Sequence, residues 1–92
     1  MAIAVIQEFE ATTENYEKVN EKLGDTPPPG LIVHTISELG GDRWKVVDVW
    51  ESKEQYDDFV QNKLAPAVVE VDPDAPQAPD PEIFEVRDLL KG

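Results

Sequence analysis

Hydrophobic residues alternate with others along residues 2–11, "AIAVIQEFEA". Ile3, Val5, Gln7 and Phe9 fall on one face, and Ala4, Ile6 and Glu8 on the other. A period of two predicts a β-strand, and two mostly apolar faces predict cover on both sides. The period then changes. In "TTENYEKVNEKLG", Tyr16, Val19 and Leu23 share a helical face, Thr12 or Thr13 can cap the start, and Gly24 stops the helix. Residues 25–30, "DTPPPG", predict a stiff polyproline connector.

Residues 31–39, "LIVHTISEL", and 43–51, "RWKVVDVWE", are β-branched runs separated by "GGD", which predicts a hairpin. "SKEQYDDFVQNKL" opens with Ser52 and has Gln55 three residues on, a capping box. Tyr56, Phe59, Val60 and Leu64 form its apolar stripe; Pro66 is expected to end or bend the helix, with room for one further turn. Residues 72–81, "DPDAPQAPDP", predict an acidic, proline-rich loop. Residues 82–90, "EIFEVRDLL", alternate again and predict a last strand.

The order β-α-β-β-α-β is the split βαβ or ferredoxin-like arrangement, an α+β fold with helices on one face of a four-stranded antiparallel sheet. The 92 residues form one domain, 1–92. The other sheet face is still rich in Val and Ile, and no third layer remains in the sequence to cover it. A second copy of the sheet is the simplest cover, which predicts a two-fold homodimer.

Charge narrows the partners. Twenty acidic residues against eight basic ones give a net charge of −12. Such a surface repels phosphates and anionic lipid, so neither a nucleic acid nor a membrane is expected as partner. Without cysteine there is no disulfide framework, no thiolate chemistry and no Cys-based zinc site. The start, "MAIAVIQEFE", lacks the basic segment of a signal peptide, and no apolar run approaches the roughly 20 residues of a membrane span. A cytoplasmic location is expected. No glycine-rich phosphate loop, His-containing metal spacing or nucleophile with a base is present.

Residues 49–59, "VWESKEQYDDF", carry a resemblance. A hydrophobic strand ending Val-Trp-Glu-Ser, followed by a helix opening Lys-Glu-x-Tyr, resembles the antibiotic-biosynthesis-monooxygenase-like family of dimeric α+β barrels. The order of elements matches that family from Ala2 to Leu90. The resemblance implies a dimer with sheets packed face to face and a pocket between helices and sheet. It implies either cofactor-independent oxygenation of aromatic compounds or haem degradation. For the haem-degrading pattern, Gln7 stands near the first-strand polar position and Phe59 at the helix tryptophan. Val69 stands where the axial histidine belongs, so the iron ligand is missing and no haem is expected. No other cofactor and no metal is expected.

The chain's one histidine, His34, lies inside the apolar run "LIVHTI". A two-residue Gly40–Gly41 loop sets it opposite Val47; a three-residue Gly40–Asp42 loop sets it opposite Asp48. The second register is preferred, with a glycine in the left-handed region and a bulge. An imidazole beside a carboxylate keeps a fixed tautomer, which suits a general base. A hydrogen-bonded polar pair at the dimer interface, a ligand pocket and a catalytic pair all remain open for His34 and Asp48. Gln7, Trp50, Tyr56 and Phe59 are candidates for contact with an aromatic ligand, and for core. The expectation is a homodimer that binds a small hydrophobic or aromatic molecule. Its catalytic form is a cofactor-independent monooxygenase with His34 as base, Asp48 as its orienter and Gln7 as a donor. The alternative is a non-catalytic ligand-binding or dimerisation domain.

Overall fold

The computed structural model describes residues 2–75 and 79–90. Its elements are β1 (Ile3–Glu10), α1 (Thr13–Leu23), β2 (Leu31–Gly40), β3 (Arg43–Trp50), α2 (Lys53–Phe59), a π-helical turn (Val60–Leu64), α3 (Ala65–Val71) and β4 (Glu82–Glu85). All strand pairs are antiparallel and the sheet order is β2-β3-β1-β4. This is the expected ferredoxin-like α+β fold.

The helix starts follow their caps. Thr12 Oγ1 accepts from Asn15 N at 3.1 Å, and Ser52 Oγ accepts from Gln55 N at 3.2 Å. Gln55 departs from the usual capping box: its Oε1 accepts from the Ser52 hydroxyl at 3.0 Å. Gly24, at φ 76°, ends α1 with its N–H on the carbonyl of Asn20.

Pro66 does not end the second helical segment. Proline lacks an N–H, and its ring crowds the carbonyl four residues back, here that of Asn62. The wider π-helical turn just before it absorbs both, so the chain runs on helically to Val71 rather than for one further turn. The last strand is shorter than its alternation suggested, stopping at Glu85 rather than Leu90. Its pairing partner on β1 has run out: Ile3 opposes Glu85, and Val86 N reaches only the carbonyl of Ala2. Of the acidic proline-rich segment, 72–75 and 79–81 carry no helix or strand; 76–78 lie outside the described residues.

The hairpin reaches the preferred register by a different turn. Gly41 (φ 60°) and Asp42 (φ 62°) form a two-residue turn between the paired residues Gly40 and Arg43. Positive φ at both central positions matches the right-handed strand twist. An irregularity between Glu38 and Gly40 then shifts the pairing by one, so Glu38 opposes Trp44 and His34 opposes Asp48. A second shift between Leu31 and Val33 places Leu31, not Ile32, opposite Trp50.

The core lies on the helix side of the sheet. Ile3, Val5, Trp50 and Tyr56 are buried together, with Leu31, Phe59, Val60 and Ile83 packed against them. Trp44 forms a second anchor. Its ring stacks on Tyr16 of α1 at 4.4 Å and lies near-parallel to Phe9 at 6.3 Å, while its Nε1 donates to the Ala11 carbonyl at 2.8 Å. Ala4, Ile6, Val33, Val47, Val49 and Phe84 alternate onto the opposite face, where Val33, Val47 and Phe84 are exposed.

Candidate functional site

Alternation along β3 puts Asp48 and Trp50 on the helix side, and the β2–β3 register sets His34 beside Asp48. Asp48 is buried, at 6% exposure. Both of its oxygens are engaged. Oδ1 lies 2.7 Å from His34 Nδ1, and Oδ2 accepts from Trp50 Nε1 at 3.3 Å. A carboxylate only accepts, so in the neutral imidazole Nδ1 carries the hydrogen and Nε2 keeps its lone pair. The His34 side chain is 48% exposed, so that lone pair belongs to a half-open group standing on a buried support.

The surroundings of the pair are apolar along the strands. On one side the opposed residues are Ile36 and Val46; on the other they are Leu31 and Trp50. From α2, Tyr56 meets the edge of the Trp50 ring at 5.6 Å. Burial raises the Tyr56 phenol above its ordinary pKa of 10.0, and the charges of Asp48 and Asp57 raise it further. Tyr56 therefore holds its proton at neutral pH and acts as a hydroxyl, not a phenolate.

The structure brings His34, Asp48 and Trp50 into one hydrogen-bonded line. It does not bring Gln7 to them. Gln7 opposes Val46 from β1, two strands away from His34, about 10 Å across the sheet. Its Nε2 donates instead to the Pro79 carbonyl at 2.9 Å, tying the end of the proline-rich segment to β1. Trp50, Tyr56 and Phe59 pack on one another, with the Phe59 ring 5.4 Å from that of Trp50. They fill the space between β3 and α2. Trp50, at 1% exposure, is a core residue whose polar edge serves Asp48. Sequence reasoning missed that bond, although Asp-x-Trp within one strand signals it: residues two apart share a face.

Other polar clusters have simpler explanations. Glu70 accepts from Lys22 at 2.9 Å, and Asp72 accepts from Asn15 and from the Asp74 backbone. Among the described residues no group of three or more His, Cys, Asp or Glu side chains is arranged to hold a metal ion. A charged groove of about 480 Å³ between α1 and α3 is lined by Lys18, Glu21, Lys22, Glu70 and Val71. A smaller one of about 180 Å³ lies by Trp44 at the hairpin tip. Neither is lined by His34 or Asp48. Among the described residues no helix is long and apolar enough to cross a membrane.

No protein-family model and no curated protein sequence matches the chain. Solved structures do. A protein named as a candidate antibiotic biosynthesis monooxygenase from Chloroflexus aurantiacus J-10-fl superposes with a TM-score of 0.72 at 14% identity, over 99% of this chain and 98% of that one. SnoaB, a cofactor-independent oxygenase from Streptomyces nogalater, superposes with a TM-score of 0.66 at 16% identity, over 99% and 98% of the two chains. A single-residue mutant of MhuD, solved with two manganese protoporphyrin IX molecules per active site, gives 0.58 at 18% identity over the full length of both. At these identities the likeness establishes architecture. The chain has the α+β fold of the antibiotic-biosynthesis-monooxygenase-like proteins, as the Val49–Phe59 resemblance implied.

Proposed function

We propose that this chain is a homodimeric, aromatic-binding domain that acts as a cofactor-independent oxygenase, with His34 as general base. The observation that carries the proposal is the 2.7 Å contact between half-exposed His34 and buried Asp48. Asp48 is held in turn by Trp50. A base needs a free lone pair, a fixed tautomer and a counter-charge for the proton it gains; Nε2, Nδ1–H and Asp48 supply these in order. The apolar pairs on either side suit a planar ring laid along the strand. Proton abstraction from a phenol or enol produces an electron-rich anion that dioxygen can attack. A base in an apolar setting supports that chemistry without a cofactor. The likeness to SnoaB in fold agrees with this reaction class. The dimer reading rests on the apolar, uncovered sheet face.

One observation favours a second reading, a non-catalytic ligand-binding or dimerisation domain. Trp50, Tyr56 and Phe59 pack on one another between β3 and α2, the region where a pocket between helices and sheet would lie. Dioxygen uptake with a panel of hydroxylated aromatic compounds separates the two. The oxygenase reading expects uptake that His34→Gln abolishes while the dimer survives. Uptake that is absent for every compound, or that persists in His34→Gln, supports the second reading.

A further inference from the structure

The last strand is the thinnest part of the sheet. β4 spans Glu82–Glu85 at the sheet edge and pairs only with Ile3–Ile6 of β1. Of its apolar side chains, Ile83 packs against the core, while Phe84 on the other face is 53% exposed. Beyond the ladder, Val86 N donates to the Ala2 carbonyl and Gln7 Nε2 to the Pro79 carbonyl, each at 2.9 Å. The charges on the segment are uneven. Asp80, Glu82, Glu85 and Asp88 are all exposed, and Arg87 is the one base among residues 79–88. Glu82 opposes Ile6, and Glu8 is the next residue of β1 on that face. Such diagonal neighbours lie about 7–8 Å apart. Glu8 is answered from the other side, by Arg43 at 2.6 Å and by Lys45, which opposes it on β3. Among the described residues no ion pair reaches an acid of residues 79–88.

We propose that ionic strength governs the docking of β4. At low salt the acidic edge strand lifts from β1 while β1, β2 and β3 stay paired, and salt returns it. Charges act over about 30 Å at 0.01 M salt and about 3 Å at 1 M. In dilute salt the acids of residues 79–88 therefore feel one another, Glu8 and the rest of a chain of net charge −12. In concentrated salt that repulsion is screened, and the ladder and the burial of Ile83 prevail. The other pairings are better held. β1 opposes β3 from Ile3 to Glu10, with Arg43 and Lys45 set among its acids. Ile3, Val5 and Trp50 are buried beneath that pairing. Docking of β4 also sets Phe84 beside Ala4, so the same step completes the apolar sheet face. A short edge strand with exposed backbone bonds is the kind of element that opens by itself.

Amide hydrogen exchange of the full-length protein, read residue by residue by NMR at one pH, tests the proposal. It is measured in KCl from about 0.01 M to about 0.5 M. The Val86 amide, last rung of the β1–β4 edge, is the reporter. Its protection should rise at least about fivefold over that range, while the amides of β3 stay protected throughout. Two double variants of equal charge change separate local from overall repulsion. Asp80→Asn with Glu82→Gln should protect Val86 already in dilute salt and remove most of the salt dependence. Glu17→Gln with Glu21→Gln, on exposed positions of α1, should leave Val86 as in the wild type. All four positions are exposed, and circular dichroism confirms that both variants are folded. Val86 protection that ignores salt overturns the proposal. So do double variants that act alike, which would make the effect one of net charge, or β3 amides that open together with Val86 in dilute salt.

Discussion

Gly30 lies so close to Gln55 that a Cβ placed on it would sit 2.6 Å from the Gln55 carboxamide and 2.8 Å from its Cβ. The contact locks the end of the proline connector onto the first turn of α2. The Gly30 carbonyl also accepts from Glu51 N at 2.7 Å, and Gly30 itself adopts φ 89°. Gly30→Ala should therefore cost about 2 kcal/mol or more, from backbone strain and from the clash with a side chain already held by Ser52. Gly24→Ala is the matched control. Gly24 has φ 76° but open space around it, so only the strain remains, about 1 kcal/mol. Urea unfolding of both variants measures the difference. Equal losses would show that Gln55 yields freely and that the packing contact is worth nothing.

The His34–Asp48 pair is asymmetric, and its variants should be too. Asp48 is buried and accepts two hydrogen bonds, whereas His34 keeps half its side chain in water. Asp48→Asn can keep the Trp50 bond through its oxygen but turns an N–H₂ toward His34, which either opposes the Nδ1–H donor or forces the imidazole into the Nε2–H tautomer and takes the lone pair from Nε2. A loss of about 1.5–3 kcal/mol is expected. His34→Gln, at an exposed edge, should cost less than about 1 kcal/mol. Chemical denaturation near neutral pH compares them. If His34→Gln costs as much as Asp48→Asn, the imidazole is a structural strut rather than a group supported for use.

The sequence made the fold legible because its periods are clean. The alternation in β1 and the stripe Tyr56, Phe59, Val60 and Leu64 each have one reading. The His34–Asp48 contact was legible as one of two registers. The preferred one was reached, but through an irregularity at Leu39 whose position leaves no residue signature of its own here. The preferred three-residue turn was one residue too long: Gly41 and Asp42 make the turn alone, and the extra residue falls at Leu39 instead. Pro66 hid the length of the second helical segment. A π-helical turn removes the clash that normally stops a helix, and composition does not announce it. The roles of Gln7 and Trp50 depended on partners distant in sequence. Pro79 lies in a segment that reads only as loop, and the Trp50 side chain had both a core and a pocket reading.

The uncovered sheet face leads to the third prediction. Val33, Val47 and Phe84 are exposed on it in the single chain, beside Ala4, Ile6 and Val49. Sedimentation at micromolar concentration should give about twice the chain mass of 10.3 kDa. Val47→Glu places a charge in the middle of that face without touching the helix side and should shift the population to monomer while secondary structure persists. A wild-type monomer, or a Val47→Glu variant that still dimerises, would remove the face-to-face arrangement.

Tyr56 gives the fold an alkaline limit. Its phenol is held above 10.0 in the folded chain by burial, with the charges of Asp48 and Asp57 adding to the effect. In the unfolded chain those causes vanish and the phenol ionises near its ordinary value of about 10. Below that pH both states keep the proton, so this residue adds no slope and its contribution is fully present. As pH rises past it, the unfolded state releases its proton first, and the native state binds more protons than the unfolded one. Stability must then fall with pH until the folded phenol also ionises. Tyr56→Phe keeps the ring against Trp50 and deletes the ionisation. Urea midpoints across about pH 9 to 11 should therefore decline more steeply in the wild type than in Tyr56→Phe, with the two running parallel near neutrality. Parallel curves throughout the alkaline range would mean that the Tyr56 hydroxyl is solvated in the folded protein and that Asp48 does not act on it.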